Sequence, residues 1–229
     1  MRYRTRPADE LRDELATLAE MGFRELFVKD MSFGAHKRHA DETLALLAER
    51  HFSWHTYARL EDLPPAVLAR MAETGAHLVQ VGLEHVVPEI LGPMGKPYGV
   101  RDIEEFFAAS RDARIDVGLH LVLGLPGETP ATLAALEDFL AREADPAYVS
   151  INLYAPRKGA RLAQAEGGGD DPHDSTRGSD SGALPRDVLR RARDRMYRRF
   201  YARPARVRRL AGQMRLPEMW HGVRRVFAG

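Results

Sequence analysis

The chain has 229 residues, 44% of them hydrophobic and 29% charged, with a formal net charge of +1 and no cysteine. That length supports one sizeable core plus an appendage and is short for two independent domains joined by a linker. The lack of thiols excludes disulfides, a thiolate nucleophile, a thiolate zinc site and any cysteine-ligated iron–sulfur cluster held by this chain by itself.

The start, Met1 to Arg6, leads into an acidic helical pattern rather than an apolar signal region, and no apolar run reaches the roughly 18 residues of a spanning helix. A cytoplasmic location is the expectation. The net charge conceals an asymmetry. From Leu184 onward there are fourteen Arg and no Lys against Asp187, Asp194 and Glu218, a surplus of eleven positive charges, so the remainder carries ten negative ones.

Leu11, Leu15, Leu18 and Met21 recur at helical spacing after Pro7, with Asp9, Glu10, Asp13 and Glu14 in the early turns where the helix dipole favours acids. Glu25 to Asp30 then reads as a short strand, and Thr43 to Arg50 as a helix. Between them, His36-Lys37-Arg38-His39 reads as a solvated loop. Phe52 to Arg59 predicts a second strand, Pro64-Pro65 opens a helix through Met71 to Gly75, and Leu78 to Leu83 predicts a third strand. Arg101 to Ala113 follows as a helix and Ile115 to Leu123 as a strand. Thr129 and Pro130 cap and open a helix from Thr132 to Arg142, and Tyr148 to Tyr154 is the fifth strand.

Five strands alternating with helices imply a parallel sheet with right-handed crossovers, either open and doubly wound or closed into a full or partial barrel. Pattern alone does not choose. Both place function at the carboxyl ends of the strands, which gathers Lys29 to Phe33, Ala58-Arg59, Glu84-His85, Gly124 to Glu128 and Ala155 to Lys158. From Ala165 to Gly182 the composition turns to Gly, Asp, Ser and His, too poor in apolar residues to offset the entropy of ordering, and reads as a flexible linker. Beyond it Val188, Leu189, Ala192, Met196, Phe200 and Tyr201 have helical spacing, with Pro204 and Pro217 opening further helices.

The run Gly124-Leu125-Pro126-Gly127-Glu128-Thr129 lies between a strand and a helix, where backbone N–H groups can meet an anion or where Gly and Pro simply make a tight turn. It is neither a Walker motif nor a dinucleotide fingerprint. Nine His invite a metal reading, and His55, His85 and His120 could approach a barrel mouth or lumen. No acidic or Cys partner stands at a recognisable spacing, so interior or substrate-contacting His and no metal site are expected.

The residues together resemble the radical SAM enzymes, and in particular the branch with a cobalamin-binding domain that includes anaerobic Mg-protoporphyrin ester cyclase and hopanoid-modifying proteins. The resemblance rests on Arg4-Thr5-Arg6-Pro7 before an acidic helix, Glu25 to Phe33 ending in Asp-x-x-Phe, and Val81-Gly82-Leu83-Glu84 followed by Leu91 and Lys96. It continues through the Gly-x-Pro-Gly-Glu-Thr loop at Gly124 to Thr129 and Tyr154-Ala155-Pro156 with Gly159, covering roughly residues 1 to 164. Arg198-Arg199-Phe200-Tyr201 is similar to the C-terminal helices of the cyclase-like branch.

The resemblance implies an α/β fold, an incomplete parallel (β/α) barrel of radical SAM type with five of six strands, over residues 1–164, then a linker at 165–183 and an Arg-rich helical tail at 184–229. It implies S-adenosylmethionine as cofactor, with Asp30 at its amino-acid end, Glu84 on the ribose side, and Gly124, Pro126, Gly127 and Glu128 flanking the adenine. A turn cap for Asp30, and an ion pair with an Arg such as Arg59 for Glu84, are the alternatives from the residues themselves.

The family's Cys-x-x-x-Cys-x-x-Cys loop and first strand have no counterpart here, so the expected 4Fe-4S cluster cannot be ligated by this chain. A separate N-terminal segment carrying the cysteines is an expected partner, cobalamin would come through a further domain, and no catalytic residue is assigned. His85 stands where the family often has Ser, and Ala160 where it often has Thr. By the same resemblance the substrate is an apolar tetrapyrrole- or lipid-like small molecule. The alternative is a non-catalytic module that binds a nucleoside ligand at the strand ends and RNA or anionic membrane through the Arg-rich tail, which otherwise docks as a lid with its Arg face solvated.

Overall fold

Five strands form one sheet in the order β1-β2-β3-β4-β5, which is also their order along the chain. In this computed structural model, residues 4–30, 32–96, 98–142, 146–155, 184–204 and 206 are described. The elements are α1 (Ala8–Glu20), β1 (Glu25–Val28), α2 (Lys37–Ala48), β2 (Ser53–Ala58), α3 (Pro65–Glu73), β3 (Ala76–Glu84), α4 (Pro88–Leu91), α5 (Val100–Asp112), β4 (Asp116–Leu123), α6 (Pro130–Arg142), β5 (Tyr148–Leu153) and α7 (Arg186–Tyr201). All five strands run parallel. Consecutive parallel neighbours joined by helices on one face are the arrangement of a partial barrel rather than of an open doubly wound sheet, whose order reverses at a switch point.

The chain divides into two compact units. The first holds α1 to α5, β1 to β3 and the beginnings of β4 and β5. Its core is built from one face of β2, β3 and β4 with the helices that cover it. Trp54 and Ala58 of β2, Val79, Val81 and Leu83 of β3, and Val117, Leu119 and Leu121 of β4 are buried, together with Leu44 and Leu47 of α2, Leu68 and Met71 of α3, and Ile103, Phe106 and Phe107 of α5. Each such side chain contributes about 1.5–3 kcal/mol by leaving water. Two polar groups in this core are paired with backbone carbonyls: Trp54 Nε1 donates to Thr74 O at 2.8 Å and Thr56 Oγ1 to Val28 O at 2.8 Å.

The helix starts follow their local chemistry. His36 is the N-cap of α2, its Nδ1 accepting from His39 N, so His36 to His39 open a helix instead of forming the loop that their polarity suggests. Leu44 and Leu47 supply the apolar stripe that extends this helix backward into the charged residues. Pro64 and Pro65 occupy the N-cap and first turn of α3, where the missing N–H costs nothing.

The second unit holds the ends of β4 and β5, the Gly124 to Thr129 loop, α6 and α7. Thr129 and Thr132 cap each other, each side-chain oxygen accepting from the other's backbone N–H. The stripe Leu189, Ala192, Met196 and Phe200 of α7 is buried. Arg195 and Arg199 both hold Glu137 of α6, and Arg203 donates to the carbonyls of Leu140 and Ala141, where a cation suits the negative end of the helix. Residues 156–183, including Pro156, Gly159 and the expected linker, and the helix expected at Pro217, lie outside the described residues.

Candidate functional site

Each predicted site residue lies at or just beyond the carboxyl end of a strand, and three clusters emerge. In the first, Asp30 lies two residues beyond β1. Its Oδ1 accepts from Ser32 N at 3.1 Å, and Ser32 Oγ donates to Asp62 Oδ2 at 2.6 Å. Phe33, almost fully buried against Trp54, donates its N–H to Tyr57 O, and Gly34 at φ +94 comes so close to the Asp62 carbonyl that no Cβ would fit. The loop after β1 is thereby pinned to the loop after β2, and Asp30 caps its turn as an Asx residue does.

The second cluster surrounds Glu84, the last residue of β3. Its φ is +65, a left-handed conformation rare for a residue with a side chain. Lys96 Nζ lies 3.6 Å from Glu84 Oε1 and donates to Gly82 O, and Tyr98 OH donates to Leu83 O at 3.2 Å. Gly82 is needed here, since a Cβ would stand 2.9 Å from Glu84 Oε1. Burial pushes the Glu84 carboxyl up, and Lys96 draws it part of the way back; burial pushes Lys96 down, and Glu84 opposes that. Arg59, the partner suggested by sequence, pairs instead with Glu61. Lys96 is closer because the short helix α4, absent from the expected elements, turns the chain back after His85. His85 is fully buried, and its Nδ1 accepts from Val87 N at 3.0 Å, a turn-capping task that a Ser hydroxyl also performs.

The third cluster is the loop after β4. Gly124 has φ +86 and Gly127 φ +81, values that favour glycine. Glu128 is fully buried, its Oε2 accepting from Gly124 N at 2.6 Å, so its carboxylate closes the loop on itself. A Cβ on Gly124 would lie 2.8 Å from Leu189 Cδ1 of α7. Pro126 lies between the two glycines and sets the turn.

On the sheet face opposite the core, His55 and His120, expected near a barrel mouth or lumen, join a group whose other members, Gln80 and Tyr148, sequence reasoning missed. Gln80 of β3 stands at its centre, with His55 at 3.2 Å, His120 at 3.3 Å and Tyr148 OH donating to its Oε1. Phe27 stacks on His55 with centroids 4.5 Å apart, and Tyr57 meets His120 edge-on at 5.7 Å. Gly118 permits this, since a Cβ there would fall 2.5 Å from Cζ of Tyr148. Burial lowers the pKa of both His55 and His120, with His77 adding to the effect on His55. The available signal was period-2 placement of Phe27, His55, Tyr57, Gln80 and His120 on successive strands. Among the described residues, no group of three or more His, Asp or Glu is arranged to hold a metal ion, and no helix is long and apolar enough to cross a membrane.

The fold and these strand ends define a radical SAM type domain. Residues 1–140 match the model of the Radical SAM superfamily, and the chain belongs to that family. It is 34% identical over 176 residues to the ribosomal protein uS12 methylthiotransferase RimO of Nitratidesulfovibrio vulgaris, covering 71% of this chain and 40% of that protein. It is 29% identical over 168 residues to the uncharacterized methyltransferase PH0819 of Pyrococcus horikoshii, covering 70% and 36%. The chain thus spans about two fifths of the length of these relatives. Solved structures with the same fold include the radical S-adenosylmethionine methyltransferase TsrM of Kitasatospora setae, bound to tryptophan and a SAM analogue, at TM-score 0.61 and 24% identity over 67% of this chain and 32% of that one. The coproporphyrinogen III oxidase HemN of Escherichia coli aligns at TM-score 0.63 and 17% identity over 85% and 45%. Cobalamin-dependent radical SAM enzymes, among them OxsB, are further structural neighbours.

Proposed function

We propose that this chain supplies the S-adenosylmethionine site and the substrate-facing wall of a radical SAM enzyme of the cobalamin-type branch. The family match over residues 1–140 carries the reading. The residues fit S-adenosylmethionine. By the family resemblance we assign Glu84, at a strained strand end, to the ribose diol and Asp30 to the amino-acid end, and, in the second unit, Pro126 and the positive-φ turns at Gly124 and Gly127 to the adenine. Glu128 acts as a positioning residue, since its carboxylate holds the loop through Gly124 N.

The residues do not fit the family's 4Fe-4S cluster, because a cluster of this kind is held by thiolates and the chain has none. In the proposed assembly a separate segment carries the cysteines, and cobalamin comes with a further domain. The likeness to a methylthiotransferase and a methyltransferase favours methyl or sulfur transfer as the reaction class. Of the tetrapyrrole- and lipid-like substrates implied by the resemblance, the aromatic inner face supports the planar, conjugated one.

Calorimetric titration of the full chain with S-adenosylmethionine tests the site. Saturable binding is expected, weakened about tenfold or more by Glu84→Gln, whose charge-assisted contact to a hydroxyl would be lost. No binding to the full chain, or equal binding by both proteins, would refute the assignment. The second reading, a non-catalytic nucleoside-ligand module with RNA or anionic membrane as partner, draws on the exposed arginines of α7. It predicts salt-sensitive binding to RNA or anionic vesicles.

A further inference from the structure

The inner sheet face carries polar groups in defined states. Gln80 Oε1 accepts from Tyr148 OH and lies 3.3 Å from His120 Nε2; Gln80 Nε2 lies 3.2 Å from His55 Nδ1. An amide oxygen only accepts and an amide nitrogen only donates, so His120 carries its proton on Nε2 and His55 accepts at Nδ1. Neutral rings, favoured by the burial that lowers both pKa values, therefore leave His55 with a donor at Nε2 and His120 with an acceptor at Nδ1. Neither atom has a hydrogen-bond partner among the described residues.

The surroundings add two exposed aromatic surfaces, Phe27 at 42% and Tyr57 at 36% exposure. Formal charges lie at the strand ends. Glu25 and His77 pair where β1 and β3 begin, Asp116 opens β4, and Glu84, Lys96, Arg59 and Glu61 cluster where β2 and β3 finish. Among the described residues the middle carries no formal charge.

We propose that this face binds an uncharged, planar heteroaromatic group whose edge carries one acceptor, met by His55 Nε2–H, and one donor, met by His120 Nδ1, while Phe27 and Tyr57 pack on its rings. The proposal rests on the reading that this face is the substrate side of a radical SAM domain, and it names the substrate class. An anionic head group meets no cation among the described residues in the middle of the face, and an aliphatic chain would leave the His55 donor and the His120 acceptor dry and unpaired, a penalty that a complementary edge avoids. Aromatic rings on aromatic rings supply the remaining attraction.

The test uses the full chain with 15N-labelled histidine and two probes, 7-azaindole, which has a ring acceptor beside an N–H, and 1-methyl-7-azaindole, which lacks the donor. Long-range proton–nitrogen spectra are expected to show His120 protonated at Nε2 and His55 accepting at Nδ1, with both rings shifting on addition of 7-azaindole. The methylated probe is expected to bind about fivefold more weakly, the worth of one hydrogen bond. Gln80→Leu frees the tautomers and should abolish that discrimination, whereas Tyr57→Ala, at an exposed ring, should weaken both probes and leave the tautomers unchanged. Equal binding of the two probes, or shifts away from these rings, overturns the proposal. So does a response of the histidine signals to protein concentration with none to either probe, which would mean that a second copy covers the face. S-adenosylmethionine titration is run in parallel. Loss of that binding with probe discrimination intact refutes the cofactor reading alone, and the reverse refutes the substrate class alone.

Discussion

The contact between the Gly124 loop and α7 is open to a double-mutant cycle. Gly124→Ala places a methyl group 2.8 Å from Leu189 Cδ1 at a backbone φ of +86. The left-handed conformation costs a residue with a Cβ about 1–2 kcal/mol, and forcing the methyl into a packed site costs about 1–2 kcal/mol more. Leu189→Ala removes a buried side chain, worth about 2–5 kcal/mol, and takes away the atom that the new methyl meets. In the Leu189→Ala background, then, Gly124→Ala should cost only its backbone share, and the cycle should show a coupling of about 1–2 kcal/mol with the double mutant less destabilised than the sum. Urea unfolding of the four proteins, followed by circular dichroism, measures it. Strict additivity would refute the argument, because it would mean that Leu189 does not occupy the space beside Gly124 in solution.

Four further outcomes are expected. Lys96→Met leaves the partly buried Glu84 carboxylate without its cation and should destabilise by about 2–3 kcal/mol, less as acid protonates Glu84, whose pKa burial holds above the ordinary carboxylate value; an unchanged urea midpoint would contradict the pairing. His55 and His120 have folded pKa values below the unfolded 6.5, so the unfolded chain binds more protons between those values, and stability should fall as pH drops from 6.5 through that window. His55→Asn with His120→Asn, in a Glu84→Gln background that removes the opposing raised carboxyl, should flatten that slope. Arg195→Ala with Arg199→Ala should cost only about 1 kcal/mol because both guanidinium groups are half exposed. Burial raises the Glu137 pKa, but hydrogen bonds from Arg199 and Arg195 outweigh it and hold the carboxyl low, so the cost should vanish once acid protonates Glu137. Anaerobic reconstitution of the chain with iron and sulfide should leave no stable cluster, and stoichiometric iron and sulfide on the protein would overturn the thiolate argument.

The strands were legible because their apolar runs are bounded by Gly, Pro and charged residues, and the family resemblance supplied the choice of a barrel that alternation by itself left open. The helix boundary at Lys37 was not legible. Lys37, Arg38 and His39 are polar, and only the packing of Leu44 and Leu47 draws them into α2. The partner of Glu84 was missed for a similar reason. Lys96 is twelve residues away, and its approach depends on α4 and on the glycine at position 82, which leaves room for the carboxylate. Gln80 gave no signal by itself, as one polar residue within an apolar run reads as an interruption until its neighbours on β2, β4 and β5 are known.

That interruption bears on why the sheet has two different faces. A parallel sheet covered by helices on both sides has strands that are apolar throughout, yet β2 reads Ser-Trp-His-Thr-Tyr-Ala, and β3 and β4 place Gln80, Gly82, Glu84, Gly118 and His120 between buried Val and Leu. In β2 the helix-covered positions are Trp54, Thr56 and Ala58, and the alternate positions His55 and Tyr57 are the ones that join the hydrogen-bonded and aromatic network. A hydrophobic second layer would leave the Gln80 amide and both imidazoles desolvated beyond what their mutual bonds satisfy. Since side-chain direction alternates residue by residue, a one-residue slip of any strand would bury these groups among the helices and expose the Val and Leu set. The same residues that prepare the inner face for a polar aromatic ligand therefore also fix the register of the sheet, so His120→Leu should weaken ligand binding and, by making the two faces of β4 alike, loosen the specification of its register.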